Sequence, residues 1–313
     1  MAVESEAVAA LLSKYQAGER NFSAIKLSKV DLSGLDLRGA NFSRSTLWEV
    51  DLSQANLEGV NFSQADLSNS SFWEANLRGA NLTQANCSGA DFCGANLQNA
   101  KLDNINFRLA ILNRTDLSNL DLRNINLSKA YLLETNLEGA NLEGANLNHA
   151  FMYSAIFRRA SLRSANLSEA DLTSTNLQEA DLTKADVSES DLQGAMLTGA
   201  IAVGSTFRLA NLTGLDLSAI NFEGANFSKA ILCGVNFTEA KLMRVNFWQA
   251  DLSRAKLFSA DLTGADLSGA NLVQANLYRA IMPPRWLENA KVCNTTLPDG
   301  NISNRDCNSQ KVS

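Results

Sequence analysis

Large apolar residues occur at every fifth position along most of the chain. Fifty-three such positions run from Phe22 to Met282 without an insertion, and 48 of them are Leu or Phe. A small residue is preferred two positions before each centre; between positions 40 and 280, Ala fills 33 of these 49 sites. The unit reads Ala-Asp/Asn-Leu-x-x, as in Ala55-Asn56-Leu57. We call the large residue the centre and number its neighbours −2, −1, +1 and +2.

A five-residue period fits neither of the common periodic structures. An amphipathic helix repeats every 3.6 residues or so, and a half-buried strand alternates every two. The pattern places two inward residues, the centre and the residue at −2, in every five. A chain that turns a corner after each unit explains this pattern. Successive coils would then stack about 4.8 Å apart and form hydrogen bonds as parallel strands do.

The run of repeats between about residues 21 and 282 resembles the pentapeptide-repeat family. The resemblance implies an all-β fold, a right-handed quadrilateral β-helix of about 13 coils with four units in each. Residues twenty apart would then stack on one face. The phenylalanine centres would form columns: Phe22, Phe42 and Phe62; Phe72 and Phe92; Phe207, Phe227 and Phe247. Ala202, the smallest centre, predicts a local bulge or a small void.

The pattern divides the chain into three parts: a capping helix in residues 1–20, the repeats in 21–282, and a cap and tail in 283–313. Ser5 is placed to begin the helix as its N-cap, and Gly18 follows the predicted end near Gln16. The apolar residues of this helix share a face that we expect to cover the first coil: Val8, Leu11, Leu12 and Tyr15. At the other end, we expect Trp286 and Leu287 to plug the core.

The composition argues against catalysis and nucleic-acid binding. Lys and Arg number 27 against 33 Asp and Glu, a net charge of −6, so a basic nucleic-acid surface is not expected. His149 is the single histidine. The chain has no Gly-rich phosphate loop, Cys-x-x-Cys pair, Gly-x-Ser-x-Gly motif or His-Glu-x-x-His motif. We therefore predict a protein that is not an enzyme and that uses no metal or cofactor.

The cysteines and the first residues bear on the cellular compartment. The first residues lack the basic segment and apolar core of a signal peptide, and no stretch approaches the length of a membrane span. We expect a soluble cytoplasmic protein whose five cysteines are mostly reduced. Cys293 and Cys307 are the candidate disulfide pair, which would stabilise the tail by about 3 kcal/mol in an oxidising compartment. Two free thiols are the alternative.

Outward positions depart from the polar pattern on one face. Apolar or thiol residues flank five centres spaced twenty apart: Trp73, Cys93, Ile111, Tyr131, Leu133, Phe151 and Tyr153. They predict an apolar stripe about 20 Å long, and contiguous exposed aromatic residues are typical of protein interfaces. The candidate interface residues are Trp73, Ile111, Tyr131, Leu133, Phe151 and Tyr153. A cover supplied by the protein's own tail, or drift of the repeat, would explain the stripe without a partner.

Two functions of different classes are consistent with this sequence. The first is a non-catalytic regulatory scaffold that binds another protein, or a second copy of itself, through the stripe. The second is implied by family members that inhibit or protect DNA gyrase by mimicking duplex DNA, which requires a sustained acidic column. Acidic residues share one column here: Asp31, Asp51, Asp91, Asp171, Asp191 and Asp251. Apolar residues interrupt that column: Ile111, Tyr131, Phe151 and Ile231.

Two short segments resemble members of the family from cyanobacteria. They are the entry to the repeats, residues 14–23, and the exit Leu297-Pro298-Asp299-Gly300. Some of those cyanobacterial proteins regulate cell differentiation by contacting a transcriptional regulator. The resemblance favours the regulatory scaffold over the DNA mimic.

Overall fold

A computed structural model describes residues 2–282 and 287–307, with side chains from residue 6 onward. Its regular elements are a helix and two short strands that pair antiparallel: α1 (Ala2–Gln16), β1 (Thr295–Thr296) and β2 (Ile302–Ser303). The chain consists of two compact units, Met1–Ile156 and Phe157–Ser313. Leu287 is buried as predicted, whereas Trp286 lies outside the described residues.

The repeats form a β-helix in both units. The residue at −1 forms a parallel bridge with the −1 residue twenty positions later, as between Asn41 and Asn61 in the first unit and between Asp191 and Asn211 in the second. The chain therefore returns to the same face after twenty residues. This confirms the solenoid that the five-residue pattern predicted.

Each regular repeat forms three backbone hydrogen bonds with the next coil. The N–H of Phe42 donates to the carbonyl oxygen of Asn61 at 2.8 Å, and the N–H of Arg44 donates to Ser63 at 2.9 Å. The N–H of Asn61 donates back to the carbonyl of Ala40 at 2.9 Å. Because this ladder uses backbone groups alone, it places no demand on the outward side chains.

The residues at −1 and +2 shape each corner. Asn61 Oδ1 accepts a hydrogen bond from the N–H of Ser63 at 3.0 Å. This Asx turn explains why Asn and Asp are preferred at −1. The residue at +2 has a positive φ, 66° at Gly39 and 59° at Arg44. The repeat therefore specifies the turn as well as the core.

The centres fill the interior, and the phenylalanines stack in the predicted columns. Ring centroids are 5.5 Å apart between Phe22 and Phe42 and 5.6 Å apart between Phe42 and Phe62. The Phe72 and Phe92 rings lie 4.6 Å apart and within 11° of parallel. In the second unit, Phe207, Phe227 and Phe247 stack at 4.8 and 5.5 Å. Stacking follows because the coil repeat places every twentieth residue on one face.

The helix α1 begins earlier than the sequence predicted. It starts at Ala2, so Ser5 lies within its first turn and is not the N-cap. Ala and Glu, which precede Ser5, have high helix propensity, and an acidic residue is favoured near a helix N-terminus. The predicted end at Gln16 is confirmed, and Gly18 has a φ of 95° and donates to the carbonyl of Tyr15 at 3.0 Å.

The predicted apolar face of α1 is largely inward. Leu11 is buried, and Val8, Leu12 and Tyr15 are half-buried. The Tyr15 hydroxyl donates to the carbonyl oxygen of Arg38 at 3.0 Å. This contact joins the helix to the first coils, as expected of an N-terminal cap.

One bridge is missing from the described ladder of each unit. Lys101 and Asp121 form none in the first unit, and Met196 and Asp216 form none in the second. In both places a leucine occupies the −2 position before the unbridged Asp: Leu120 and Leu215. We attribute each gap to the shape of the leucine side chain, because isoleucines of equal volume at the same position, Ile125 and Ile220, leave their bridges intact.

A bulge or a small void was expected at Ala202, and the bulge is wrong. Its N–H donates to the carbonyl of Asn221 at 3.0 Å, Ile201 keeps its bridge with Asn221, and Ala202 is fully buried. A small centre removes atoms from the interior without pushing the coils apart. The missing bridges within the two units lie beside Leu120 and Leu215 instead.

Candidate protein-interaction surface

The predicted stripe lies entirely within the first unit. Ile111 bridges to Tyr131, and Tyr131 bridges to Phe151, so the three −1 residues are neighbours on successive coils. The +1 residues lie beside them on the same face: Trp73, Leu133 and Tyr153. We refer to Trp73, Ile111, Tyr131, Leu133, Phe151 and Tyr153 as the apolar face.

The aromatic side chains of the apolar face are exposed. The exposed fraction is 47% for Phe151, 46% for Tyr153, 43% for Tyr131 and 42% for Trp73. Leu133 is also exposed, whereas Ile111 and Cys93 are half-buried. The rings of Tyr131 and Phe151 stack 4.9 Å apart and within 12° of parallel. The structure therefore places the predicted residues on one face and brings Tyr131 and Phe151 into contact.

The apolar face gives up hydrogen bonds that the rest of the repeat uses. At most other repeats an Asn or Asp at −1 accepts a bond from the +1 N–H, but Ile111, Tyr131 and Phe151 have no carboxylate or amide oxygen to offer. The N–H of Leu133 donates instead to Asn113 Oδ1, from the preceding coil, at 2.9 Å. The hydrogen bonding of the repeat therefore does not explain these three apolar residues.

Polar side chains line the corner beside the apolar face. At the +2 positions, Arg114 Nε donates to Glu134 Oε2 at 2.9 Å, and Gln54 Nε2 donates to Glu74 Oε2 at 3.0 Å. These groups are exposed. The surface therefore has an apolar centre and a hydrogen-bonding edge, the arrangement found in protein interfaces.

Two exposed residues near the apolar face were missed by the sequence analysis. Leu109 is 38% exposed at the +2 position before Ile111, and Ile156 is 37% exposed at the −1 position after Tyr153. Each lies across a corner from the apolar face. The signal was present in the sequence as apolar residues at usually polar positions, but both residues lie outside the column of centres that defined the stripe.

The acidic column is interrupted as the sequence indicated. Asp31 bridges to Asp51, but Ser71 separates Asp51 from Asp91. Asp31 Oδ1 accepts a bond from the N–H of Ser33 at 2.9 Å, and hydrogen bonds from Ser33 lower the pKa of Asp31 below its ordinary value. In the second unit, Asp171 and Asp191 form a second pair. These aspartates serve the Asx turns of the fold.

Other candidate chemistry is sparse in the described part of the chain. No group of three or more His, Cys, Asp or Glu residues there is placed to hold a metal ion. Cys87 is buried, and burial raises the pKa of its thiol. His149 is half-buried. No helix among the described residues is long and apolar enough to cross a membrane.

The structure brings Cys293 and Cys307 together. Their sulfur atoms lie 2.14 Å apart and their Cα atoms 4.8 Å apart. Cys307 is exposed and Cys293 is half-buried. The predicted pair therefore lies within bonding distance at the C-terminal end of the repeats.

Comparisons with known proteins place this architecture in a family. No curated protein matches the chain. Among solved structures, HetL, a pentapeptide repeat protein involved in heterocyst differentiation regulation from the cyanobacterium Nostoc sp. strain PCC 7120, is 29% identical; the similarity covers 94% of this chain and 98% of HetL, with a TM-score of 0.25. Alr5209, a pentapeptide repeat protein from Nostoc PCC 7120, is 36% identical over 33% of this chain and 79% of its own, with a TM-score of 0.25.

QnrB1, a plasmid-mediated fluoroquinolone resistance protein, is 20% identical over 80% of this chain and 92% of its own, with a TM-score of 0.25. The model of the pentapeptide repeats (8 copies) matches nine segments between residue 21 and residue 282, most of which overlap. These segments cover most of the sequence and coincide with the bridged coils. The chain therefore belongs to the pentapeptide-repeat family.

Proposed function

We propose that this protein is a non-enzymatic scaffold for protein–protein interaction, and that the apolar face is its binding surface. The observation that carries the proposal is the set of four exposed aromatic side chains on one face, two of which stack on successive coils. Tyr, Trp and Phe are enriched where interfaces exclude water. The scaffold binds another protein, a transcriptional regulator being one such class, or a second copy of itself.

The size of the apolar face suits the centre of an interface. An aromatic side chain buries about 200 Å² when fully covered, so the exposed parts of these four present roughly 350 Å². That area matches the largest apolar patch of a typical monomer, which is often functional. A standard interface covers about 800 Å² on each partner. The partner must therefore also contact the polar edge that includes Arg114 and Glu134.

The proposal includes the finer geometry of the fold. We infer right-handed square coils of four repeats each, about 13 in number, because bridges join residues twenty apart. We further propose that the protein acts in the cytoplasm as a regulator. The entry and exit segments that resemble cyanobacterial members support a regulatory role.

The test compares proteins retained from a native-source lysate by immobilised variants. The binding variant is Tyr131→Asp with Tyr153→Asp, whose side chains face outward. The matched control is Trp248→Asp with Tyr278→Asp, which replaces exposed aromatic residues of the second unit. We expect a protein retained by the wild type and the control to be lost from the binding variant. Equal retention by all three would rule out the apolar face as the binding surface.

A gyrase inhibitor is the second candidate, supported by the paired acidic residues Asp31 with Asp51 and Asp171 with Asp191. Duplex DNA carries about one negative charge per 1.7 Å, whereas an apolar run follows Asp91 in this column. A supercoiling assay with purified gyrase separates the two functions. Inhibition that persists in the Tyr131→Asp, Tyr153→Asp variant would favour DNA mimicry over the scaffold.

A further inference from the structure

The last coil of the second unit is closed by its own chain. After the centre Val292, the chain forms the β1–β2 hairpin and returns across the end of the coil. We call residues 301–307 the closing segment. Leu287 and Val292 are buried beneath this end, and a cavity of about 250 Å³ lies beside them, also lined by Leu297 and Pro298. An apolar core that ends in solvent needs such a cover.

Side chains of the closing segment take the place of a further coil. Within the stack, the N–H of Leu272 donates to the carbonyl of Lys291 at 2.9 Å. One coil later, the equivalent N–H of Val292 has no further coil and donates to Asp306 Oδ2 at 2.9 Å. The N–H of Asn294 likewise donates to Asn304 Oδ1 at 3.0 Å. The closing segment thus supplies acceptors that the next coil would have supplied.

The same segment supplies the missing donors. The carbonyl of Ala270 accepts from the N–H of Lys291 at 2.9 Å, but the equivalent carbonyl of Ala290 accepts from Arg305 Nη2. Arg305 Nη1 also donates to the carbonyl of Leu287 at 3.1 Å, and its Nη2 pairs with Asp306 Oδ2 at 2.9 Å. Asp306 therefore accepts from one terminal backbone N–H, and its ion-pair partner Arg305 donates to two terminal carbonyl groups.

The two cysteines join this cover to the coil beneath it. Cys293 follows the centre Val292, and Cys307 follows Asp306. The disulfide therefore lies directly beside the hydrogen bond from the Val292 N–H to Asp306 Oδ2. Arg305 and Asp306 are partly exposed, and an ion pair in contact with water contributes little by itself. The bond between residues 293 and 307 is thus the strongest constraint on the closing segment. Its outer sulfur, that of Cys307, belongs to an exposed residue.

We propose that Cys293 and Cys307 form a thiol–disulfide exchange site whose oxidation state decides whether the closing segment stays on the last coil. The reductant is a dithiol, either a small dithiol or a dithiol protein. Its thiolate attacks the Cys307 sulfur, the bond between the two sulfurs breaks, and Cys293 leaves as a thiolate that takes a proton from water. The second thiol of the reductant then releases Cys307, and the reductant departs as a disulfide.

Reduction transfers two electrons and leaves the closing segment held by hydrogen bonds and one exposed ion pair. Local opening would expose Leu287 and Val292 and leave the terminal N–H of Val292 to water. In a reducing cytoplasm the end would open frequently, whereas in an oxidising compartment it would stay closed. The site therefore couples the state of one end of the β-helix to the redox environment.

Hydrogen exchange of the full chain, followed by mass spectrometry, tests this proposal. We expect amides in residues 287–307 to exchange about tenfold faster or more after dithiothreitol treatment, with residues 22–282 unchanged. The Cys293→Ser, Cys307→Ser variant should exchange like the reduced protein. The Cys93→Ser, Cys233→Ser variant, which retains the pair, should respond to dithiothreitol like the wild type.

Two outcomes would overturn the proposal. One is that alkylation under native, non-reducing conditions labels Cys293 and Cys307 in protein exposed to oxidised glutathione, which would mean that no bond forms. The other is that residues 287–307 exchange equally in the oxidised and reduced wild type. That comparison needs no substitution, so it holds even if a serine variant fails to fold.

Discussion

The column of −1 residues that carries the apolar face in the first unit is mostly polar in the second, where Ile231 is its one exposed apolar residue among the described positions. In the second unit, Asp171 and Asp191 each accept a bond from the +1 N–H at 3.0 Å, and Asn211 accepts one at 3.2 Å. In the first unit, Ile111 and Tyr131 occupy equivalent positions, yet their bridges are intact. The comparison shows that the backbone ladder accepts either surface. Outward residues of this fold are therefore informative about binding, and inward residues about stability.

The largest expected effect comes from a core substitution. Phe227 stacks between Phe207 and Phe247 in the second unit. Phe227→Ala should lower the free energy of unfolding by about 3–5 kcal/mol because it leaves a cavity in a closed interior. Tyr131→Ala should cost less than about 1 kcal/mol because its ring is exposed. Urea unfolding measures both, and equal costs would show that Tyr131 is part of the core.

A reciprocal exchange between the two faces should have opposite effects on stability. Tyr131→Asn restores the acceptor of an Asx turn and should raise the free energy of unfolding by up to about 1 kcal/mol. Asn211→Tyr removes the equivalent acceptor and should lower it by a similar amount, about 1 kcal/mol. Thermal unfolding of both variants checks the signs. If Asn211→Tyr stabilises the chain, loss of the hydrogen bond from the +1 N–H to the −1 side chain is not a stability cost of the apolar face.

A smaller effect is expected where the ladder is interrupted. Leu120→Ala should let Asp121 bridge to Lys101. The free energy of unfolding should change by less than about 1 kcal/mol, because the apolar burial that is lost offsets the hydrogen bonds that are gained. The amide of Asp121 should exchange several-fold more slowly. Leu117→Ala, at a buried centre, is the matched control and should destabilise without closing the gap. Unchanged exchange at Asp121 would show that Leu120 does not cause the interruption.

The smallest effect is expected from protonation of Asp306 at low pH in the reduced protein. The hydrogen bond from Arg305, followed by that from the Val292 N–H, lowers the pKa of Asp306 in the folded chain. Because its pKa is lower in the folded chain than in the unfolded chain, ionised Asp306 stabilises the fold above the unfolded pKa of about 3.9. This contribution is lost as the pH falls through the folded pKa. In reduced protein, NMR signals of the Val292 and Asn294 amides should therefore shift on acidification below about pH 4. The Asp306→Asn variant should show no such titration.

Sequence reasoning was most successful where one residue type has one structural role. The Leu and Phe centres, the phenylalanine columns and the outward aromatic residues all follow from the five-residue period, because each coil repeats the same contacts. It was less successful at the ends and irregularities. The start of α1 depends on residues before Ser5 whose propensities extend the helix. The missing bridge between Lys101 and Asp121 depends on how two coils fit together. The roles of Arg305 and Asp306 had no periodic signal.

The sequence by itself determined the solenoid, the buried centres and the polar corners. Those features depend on local turns and on contacts repeated every twenty residues, which the pattern encodes directly. Only the tertiary structure decided which groups close the last coil, where the ladder separates and that Cys293 meets Cys307. These depend on single contacts between residues far apart in the repeat, and a periodic pattern carries no information about an event that occurs once.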